Sequence, residues 1–173
     1  MYEVRLANVN DIDKIMEIRW MATKLLKGNG IDQWQNEYPA PTDFKNDIDK
    51  KQLYVVTDGE EIAGFCVLSD GYEPSYEVVY DGEGFSDYKE YLVYHRLAVN
   101  ERYYGKGVAK HFIKESEKIA KERNVHSLRF DTHAKNVTTQ NLFKKNGFKH
   151  VGTVKLLHVT VGDPERLVFE KII

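Results

Sequence analysis

A strand that leads into a glycine-bearing turn and then into an amphipathic helix is the feature that most limits how this chain can fold. Apolar residues dominate positions 91–99, a pattern typical of a buried strand. From Val108 to Ala120 the apolar residues recur at helical spacing. Gly105 and Gly107 lie between the two patterns. The segment therefore predicts a strand, a tight turn and a helix in direct succession.

This turn has the composition of an anion site. The first N–H groups of a helix have no partner inside it and lie at the positive end of the helix dipole. Gly105 and Gly107 allow a phosphate to approach the main chain, and Arg102 and Lys106 add positive charge. The pattern favours a pyrophosphate cradle. A turn whose glycines serve only its geometry is an equally good interpretation of the local spacing.

Two common nucleotide-binding loops do not match the turn. A Walker loop has four residues between its glycines and then Lys-Ser or Lys-Thr, whereas here one residue separates the glycines and Val108-Ala109 follow. A dinucleotide fingerprint has a third glycine three residues after the second, and Lys110 stands there instead. The residues alone therefore indicate an anion at a helix start without naming the ligand.

The remaining periodicities predict the order β-α-α-β-β-β-α-β-α-β-β, which belongs to the α/β (α+β) class. We expect the strands at residues 2–6, 53–57, 61–68, 91–99, 128–132, 148–161 and 166–172. Helices are expected from a cap at Asn10 to Gly28, from a cap at Thr42 to about residue 50, from Val108, and over residues 138–146. Residues 69–90 are acidic and aromatic, and residues 82–86 have the composition of a loop tip.

Composition excludes several classes of protein. The 173 residues suit one domain, so we expect residues 1–173 to form a single one. Lys and Arg number 25 against 27 Asp and Glu, without the basic excess of a nucleic-acid-binding domain. Cys66 is the only cysteine, and no apolar run approaches the roughly 18 residues of a membrane span. With no basic and apolar leader pattern, we expect a cytoplasmic protein that binds neither nucleic acid nor membrane.

Several motifs, in sequence order, resemble the GCN5-related N-acetyltransferase (GNAT) family. Residues 102–107, RYYGKG, resemble its Arg/Gln-x-x-Gly-x-Gly/Ala turn, and residues 95–99 resemble its fourth strand. Residues 131–136 and 142–148 resemble the strand and helix that come next in the family. The whole chain is covered in the expected order, which is more specific than the turn alone.

The resemblance implies a mixed, mostly antiparallel central sheet of about seven strands, flanked by about four helices and splayed between strands 4 and 5. It implies an acetyl-CoA-dependent enzyme that transfers an acetyl group to the primary amine of a small molecule or peptide, by direct attack in a ternary complex and without a metal. The implied cofactor contacts are Leu97, Ala98, Val99, Arg102, Tyr103, Tyr104, Gly105, Lys106, Gly107, Val108, Ala109, Asn136 and Phe143.

Two histidines are candidates for the catalytic groups. His95 is the first candidate for the general base, because imidazole titrates near neutrality; a packed strand histidine is the alternative. His133 is the second candidate, and its alternative is a turn residue that bonds the backbone near Asn136. The family often has a proton-donating tyrosine at the place of Phe143, so another group protonates the thiolate here or it leaves without an acid. Asn136 has helix capping as its alternative role.

Trp34 and Tyr38-Pro39 resemble a Gln-Trp and Tyr-Pro segment in a bacterial branch of the family. We expect Trp34 and Tyr38 to line the acceptor pocket, with a hydrophobic anchor under a loop as the equal alternative.

Residues 69–90 are either a lip that attracts a cationic amine or, as we favour, a solvated loop with tyrosines at strand edges. Tyr103 and Tyr104 are expected to face solvent or phosphate. Cys66 is expected to be a buried small hydrophobe.

Two other functions stay open at this point. A non-catalytic acyl-CoA-binding sensor is compatible with the phenylalanine at position 143. A nucleotide-phosphate binder of another class is compatible with the glycine turn. Proteins with folds of this kind often form dimers, and the sequence does not decide whether this protein is a monomer or a homodimer.

Overall fold

The computed structural model describes all 173 residues. It has seven strands and four α-helices in the predicted order. The elements are β1 (Tyr2–Leu6), α1 (Ile12–Gly28), α2 (Pro41–Asp49), β2 (Leu53–Asp58), β3 (Glu61–Asp70), β4 (Leu92–Val99), α3 (Val108–Glu122), β5 (Ser127–Thr132), α4 (Val137–Lys145), β6 (Lys149–Lys155) and β7 (Glu165–Ile172). No helix is both long and apolar enough to span a membrane.

The strands form one mixed sheet in the order β1-β2-β3-β4-β5-β7-β6. The β1–β2, β2–β3, β5–β7 and β6–β7 pairs are antiparallel, and the β4–β5 pair is parallel. A parallel pair needs a crossover connection, which α3 supplies. The seven strands and four helices confirm the expected α/β (α+β) fold.

Two compact units divide the chain, and the first comprises Met1–Ser69 and Tyr94–Ser116. Its apolar core lies between α1, α2 and the strands β2 and β3. The buried members of this core are Ala7, Ile15, Ile18, Phe44, Leu53, Val55, Ile62, Phe65, Val67 and Ala98. Cys66 is buried in β3 as expected, and burial raises the pKa of its thiol. The first unit contains most of β4, the glycine-bearing turn and the first part of α3.

The second unit comprises Asp70–Val93 and Glu117–Ile173. One apolar cluster joins the segment before β4 to β6 and β7, through Tyr76, Tyr91, Val93, Val151, Val154 and Val168. An aromatic cluster of Phe130, Phe143, Phe148 and Phe169 fills the space between β5, α4 and β7.

Residues 69–90 are exposed at most positions, but some of them are packed, so the solvated-loop interpretation is wrong for part of the segment. Tyr76 and Tyr91 are buried, and the Tyr76 hydroxyl donates to Asp131 at 2.7 Å. Tyr80 exchanges two main-chain hydrogen bonds with Thr153 of β6. The predicted loop tip at residues 82–86 is also held, because Gly84 N–H donates to the Val151 oxygen at 2.9 Å. Tyr76 and Phe85 belong to the core of the second unit, whereas Tyr72 and Tyr88 are exposed.

Three predicted element boundaries are wrong. The N-terminal cap is Asn8 rather than Asn10: its side chain accepts the Asn10 N–H at 2.9 Å, and a short 3-10 turn precedes α1. Helix α2 begins at Pro41, and Asp43 rather than Thr42 accepts the Ala40 N–H at 2.7 Å. Strand β6 ends at Lys155 instead of residue 161, because the chain turns through residues 156–164 before β7. In each case the misplaced cap or end lies within a few residues of the observed one.

Candidate active site

Strand β4 departs from regular geometry in its middle. Arg96 has φ of 49°, which is the left-handed region that non-glycine residues rarely adopt. Three successive residues, His95, Arg96 and Leu97, are half-buried, so the usual alternation of a strand is interrupted there. Such a distortion persists only where the surrounding structure imposes it, and it is frequent at functional sites. The main chain of β4 is therefore turned aside just before the predicted cofactor contacts.

The turn after β4 is built by a side-chain cap. Asn100 is buried, its side-chain oxygen accepts the Arg102 N–H at 3.1 Å, and its own N–H donates to the Ala63 oxygen at 2.9 Å. Gly105 and Gly107 follow with φ of 74° and 82°, a conformation that glycine adopts without strain. Asn100 thus fixes the beginning of the turn, and the glycines allow it to bend into α3.

The mouth of this turn is open. A Cβ atom built at Gly105 or at Gly107 would meet no heavy atom within 4 Å. The first main-chain hydrogen bond of the helix runs from His111 N–H to the Gly107 oxygen at 2.9 Å. The N–H groups of Val108, Ala109 and Lys110 therefore lie outside the helix's own hydrogen bonds. The turn thus has N–H groups outside the helical hydrogen bonds and open space beside its glycines, as an anion cradle would need.

Close packing of β3 against the cradle requires Gly64. A Cβ at this position would lie 2.9 Å from the Ala98 oxygen and 3.1 Å from a methyl group of Val108. Because real Cβ atoms are not found so close to a carbonyl oxygen, only glycine fits without a shift of the strand. This residue was missed by sequence reasoning, since a single glycine in an apolar strand gives no functional signal.

The charged and aromatic residues of the turn differ in what they contact. Arg102 is 74% exposed at its side chain and pairs with Glu61 at 3.1 Å. Tyr103 is buried rather than facing solvent, as its hydroxyl donates to Glu61 at 2.9 Å. The hydrogen bond to Glu61 raises the pKa of Tyr103 to about 12. Tyr104 is exposed as expected, and Lys106 lies with its ammonium 5.4 Å from the centre of the Tyr103 ring.

Residues 31–40, called the 31–40 segment below, carry Trp34 and Tyr38. The Trp34 ring stacks on Phe65 with 6.3 Å between centroids and packs against the core, which matches the hydrophobic-anchor alternative. Tyr38 is 44% exposed. Three residues of the segment, Trp34, Asn36 and Glu37, have φ between 58° and 66°. The segment thus anchors itself by Trp34 and presents Tyr38.

Two arginines hold this segment. Arg19 of α1 is fully buried and donates to the main-chain oxygens of Tyr38 at 2.6 Å and Trp34 at 3.3 Å. Arg96 donates to the Tyr38 hydroxyl at 2.8 Å and to Asp47 of α2 at 3.0 Å. Burial raises the pKa of Asp47, and the nearby Arg96 opposes that shift. None of these arginine contacts was anticipated from the sequence, because they join residues that are distant along the chain.

His95 is half-buried beside the distorted Arg96, and its main-chain oxygen accepts the Cys66 thiol at 3.4 Å. The first unit contains His95, the main chain of Leu97 to Val99, the turn from Arg102 to Ala109, and the 31–40 segment.

The other predicted site residues belong to the second unit. His133 is buried; its Nδ1 accepts the Lys135 N–H at 3.1 Å and its Nε2 lies 3.4 Å from Asp163. Asn136 caps α4, with its side-chain oxygen accepting the Thr139 N–H at 3.3 Å. Phe143 is buried and stacks on Phe130 at a centroid distance of 3.7 Å. These contacts correspond to the backbone-bonding alternative for His133 and to the capping alternative for Asn136.

The sequence model of the Acetyltransferase (GNAT) family matches residues 12–148. The chain belongs to this family. A crystal structure of a GNAT-family acetyltransferase from Streptococcus agalactiae 2603 is 32% identical, with a TM-score of 0.87, and the match covers 99% of this chain and 95% of that chain. No curated protein matches the sequence. GNAT membership makes the protein an acetyltransferase.

Two more distant structures share the fold. The PaiA N-acetyltransferase of Thermoplasma acidophilum, solved in complex with coenzyme A, is 21% identical with a TM-score of 0.70, covering 100% of this chain and 99% of that chain. The ribosomal-protein-alanine N-acetyltransferase of Brucella melitensis is 18% identical with a TM-score of 0.73, covering 99% of both chains. At these identities the likeness shows the fold alone. The GNAT family uses acetyl-CoA as its acetyl donor.

Proposed function

We propose that this GNAT protein binds acetyl-CoA at the β4–α3 turn and transfers its acetyl group to the primary amine of a small molecule or peptide, by direct attack in a ternary complex. The observation that carries the proposal is the open mouth of the turn, where a Cβ at Gly105 or Gly107 would meet nothing within 4 Å. This space lies directly before the first N–H groups of α3, where an anion would bind. Acetyl-CoA supplies a thioester, which is an activated acyl group.

The main chain would hold the donor's diphosphate. The N–H groups at the start of α3 lie at the positive end of its dipole and suit an anion. Arg102 forms an exposed pair with Glu61, and such pairs contribute only about 0–1 kcal/mol, so its guanidinium is free to exchange Glu61 for a phosphate. The distorted main chain of β4 near Leu97 and Val99 would bind the pantetheine arm and donate an N–H to the carbonyl oxygen.

The acceptor amine must lose a proton before it attacks, since alkylamines titrate near the lysine value of about 10.4. His95 is our candidate for the group that accepts this proton, directly or through water. His133 is the weaker candidate, because its Nδ1 lone pair is already occupied by the Lys135 N–H. Holding the amine beside the carbonyl supplies the rest of the rate by proximity.

Position 143 lacks the tyrosine that often protonates the departing thiolate in the family. Phe143 has no exchangeable proton, and the hydroxyl of Tyr103 is held by Glu61. This feature favours, as the second candidate function, an acyl-CoA sensor that binds the ligand without turnover.

A turnover assay separates the two functions. We expect CoA to bind in preference to ATP and NAD in competition calorimetry, and acetyl-CoA to release free thiol when one amine of a panel of small amines and peptides is present. Binding of CoA without amine-dependent thiol release would support the sensor. A preference for ATP or NAD would contradict both functions.

The base assignment has its own test. His95→Ala should lower turnover much more than CoA affinity, because the imidazole acts on the amine and not on the donor's phosphates. His126→Ala is the matched control, since His126 is exposed and lies in the second unit. Equal turnover in the His95 variant and the control would remove His95 from the mechanism.

A further inference from the structure

The side chain of Arg96 links the strand of the cofactor site to the 31–40 segment. It donates to the Tyr38 hydroxyl at 2.8 Å and to Asp47 at 3.0 Å, and it lies 5.5 Å from the centre of the Tyr38 ring. The side chains of Arg96 and Asp47 are only 19% and 10% exposed, whereas the Lys45–Asp49 pair on the same helix is 51% and 58% exposed. A shielded pair holds its geometry far better than an exposed one.

Tyr38 is held from the other end as well. Arg19 donates to the main-chain oxygen of Tyr38 at 2.6 Å, while its Nε and Nη1 are buried without hydrogen-bond partners. A buried guanidinium with unpartnered N–H groups is costly to the fold. The left-handed backbone of Arg96 is a second cost. Local costs of this kind are typical of residues that are placed for function rather than for stability.

The hydrogen bond from Arg96 also orients Tyr38. Because the phenolic oxygen accepts the Arg96 N–H, the hydroxyl proton is left to donate to another group. Tyr38 is exposed enough to reach a ligand, and no other partner of its hydroxyl is present. The group that fits this hydroxyl is a hydrogen-bond acceptor on the ligand.

We propose that Tyr38, positioned by Arg96, selects acceptors that carry a carbonyl oxygen next to the amine, as amino-acid amides and peptides do. The inference rests on the proposed N-acetyltransferase function and names the class of acceptor for the same site. Arg96 is a positioning residue that acts through Tyr38. A site built to hydrogen-bond a substrate group discriminates against analogues that lack it.

The test compares alaninamide with isopropylamine, which has a methyl group in place of the carboxamide. For wild type and each variant, the ratio of kcat/KM for the two amines is measured. Tyr38→Phe and Arg96→Gln should each lower this ratio by about tenfold relative to wild type, the value of one hydrogen bond. The double variant should lose no more than either single variant, because both remove the same contact. Arg96→Lys, which keeps one donor, should recover part of the ratio.

The controls separate this contact from general damage. Tyr88→Phe alters a tyrosine of similar exposure in the second unit, and Lys45→Gln breaks the exposed pair on α2; neither should change the ratio. CoA affinity should stay at the wild-type value in every variant. If Arg96→Gln does not fold, Tyr38→Phe and Arg96→Lys carry the test.

Two failures are distinguishable. If wild type releases no thiol with any amine, the proposed function falls and this inference falls with it. If wild type turns over both amines and Tyr38→Phe leaves the ratio unchanged, the inference alone is overturned. Additive losses in the double variant would also overturn it, because Arg96 would then not act through Tyr38.

Discussion

The glycines of the β4–α3 turn and the glycines beside β6 have opposite surroundings. Gly105 and Gly107 have no atom within 4 Å of the place of a Cβ. At Gly82 and Gly152 the place of a Cβ is already filled by other atoms. A Cβ on Gly82 would overlap the Val151 oxygen and lie 2.6 Å from the Gly152 Cα. The same residue type therefore leaves open space in one region and closes a main-chain contact in the other. Open space alone does not indicate binding, because Gly59 has it too; at Gly105 and Gly107 it lies at the start of a helix.

Arginine–carboxylate pairs repeat this contrast. Arg102 and Glu61 form an exposed pair beside the turn, with side chains 74% and 44% accessible. Arg129 and Glu170 form a buried pair at 3.4 Å in the second unit, with the guanidinium 4.4 Å from the Phe85 ring centre and 4.0 Å from that of Tyr91. Burial lowers the pKa of Arg129. The exposed pair is available to a ligand, and the buried pair fastens residues 70–91 to β5 and β7.

The largest effect is expected from Arg129→Met. The variant leaves the Glu170 carboxylate buried without its cation and removes the donors to the Ser86 and Tyr88 oxygens. Breaking such a pair typically costs about 3–5 kcal/mol in the free energy of unfolding, which urea denaturation measures. The double variant Arg129→Met/Glu170→Leu should recover much of the loss. A loss below about 1 kcal/mol in the single variant would mean that the pair does not fasten the segment.

Gly105→Glu should abolish CoA binding, because a carboxylate would occupy the cradle in place of a phosphate. We expect affinity to fall more than about 100-fold, or about 2.7 kcal/mol, by calorimetry. Gly59→Glu is the matched control: Gly59 has φ of 62°, and a Cβ there also meets nothing within 4 Å. Both variants carry the same backbone strain, so only a difference in CoA affinity identifies the cradle. Equal affinities would contradict the site.

Gly82→Ala should destabilise the protein by about 2 kcal/mol, because the added methyl group overpacks the contact with β6. Gly28→Ala is the control, since a Cβ at the end of α1 meets nothing within 4 Å and should leave stability unchanged or slightly raised. Thermal and urea unfolding report both. If the two variants unfold alike, the contact between residues 82–84 and β6 is not part of the stable fold.

Arg102→Gln should have the smallest effect on stability, under about 1 kcal/mol, because the pair it breaks is exposed. Its effect on CoA affinity should be a loss of about threefold at low salt that shrinks as salt is added, since the contribution is a screened charge. Calorimetry at two ionic strengths measures this. A salt-independent loss would indicate that Arg102 supports the shape of the turn instead.

The periodicities of the sequence predicted the fold well and the caps poorly. The order of elements holds because apolar spacing reports which face of each segment is buried. Asn8 and Asn10 are both good capping residues, and only the direction of the main chain decides which side chain reaches an N–H. Residues 69–90 were misjudged in part, because the acidic residues around Tyr76 and Phe85 gave no sign that these two side chains pack into the core of the second unit.

The candidate site, like the fold, was predicted only in part from the sequence. The glycine turn and its basic residues were visible because they are contiguous, and motif order identified the family. The contacts of Arg19 and Arg96 with Tyr38 were not visible, since they join α1, β4 and the 31–40 segment across long separations. Tyr103 was expected to face outward, and its hydroxyl instead reaches Glu61 of the neighbouring strand.

The sequence by itself determined the succession of strands and helices, the glycine-bearing, basic composition of the turn and the resemblance to acetyltransferases, because each depends on residues close together in the chain. Only the tertiary structure decided which glycines face open space, which arginines are buried and which tyrosines are exposed. Those properties depend on atoms brought together from distant segments, and no local pattern encodes them.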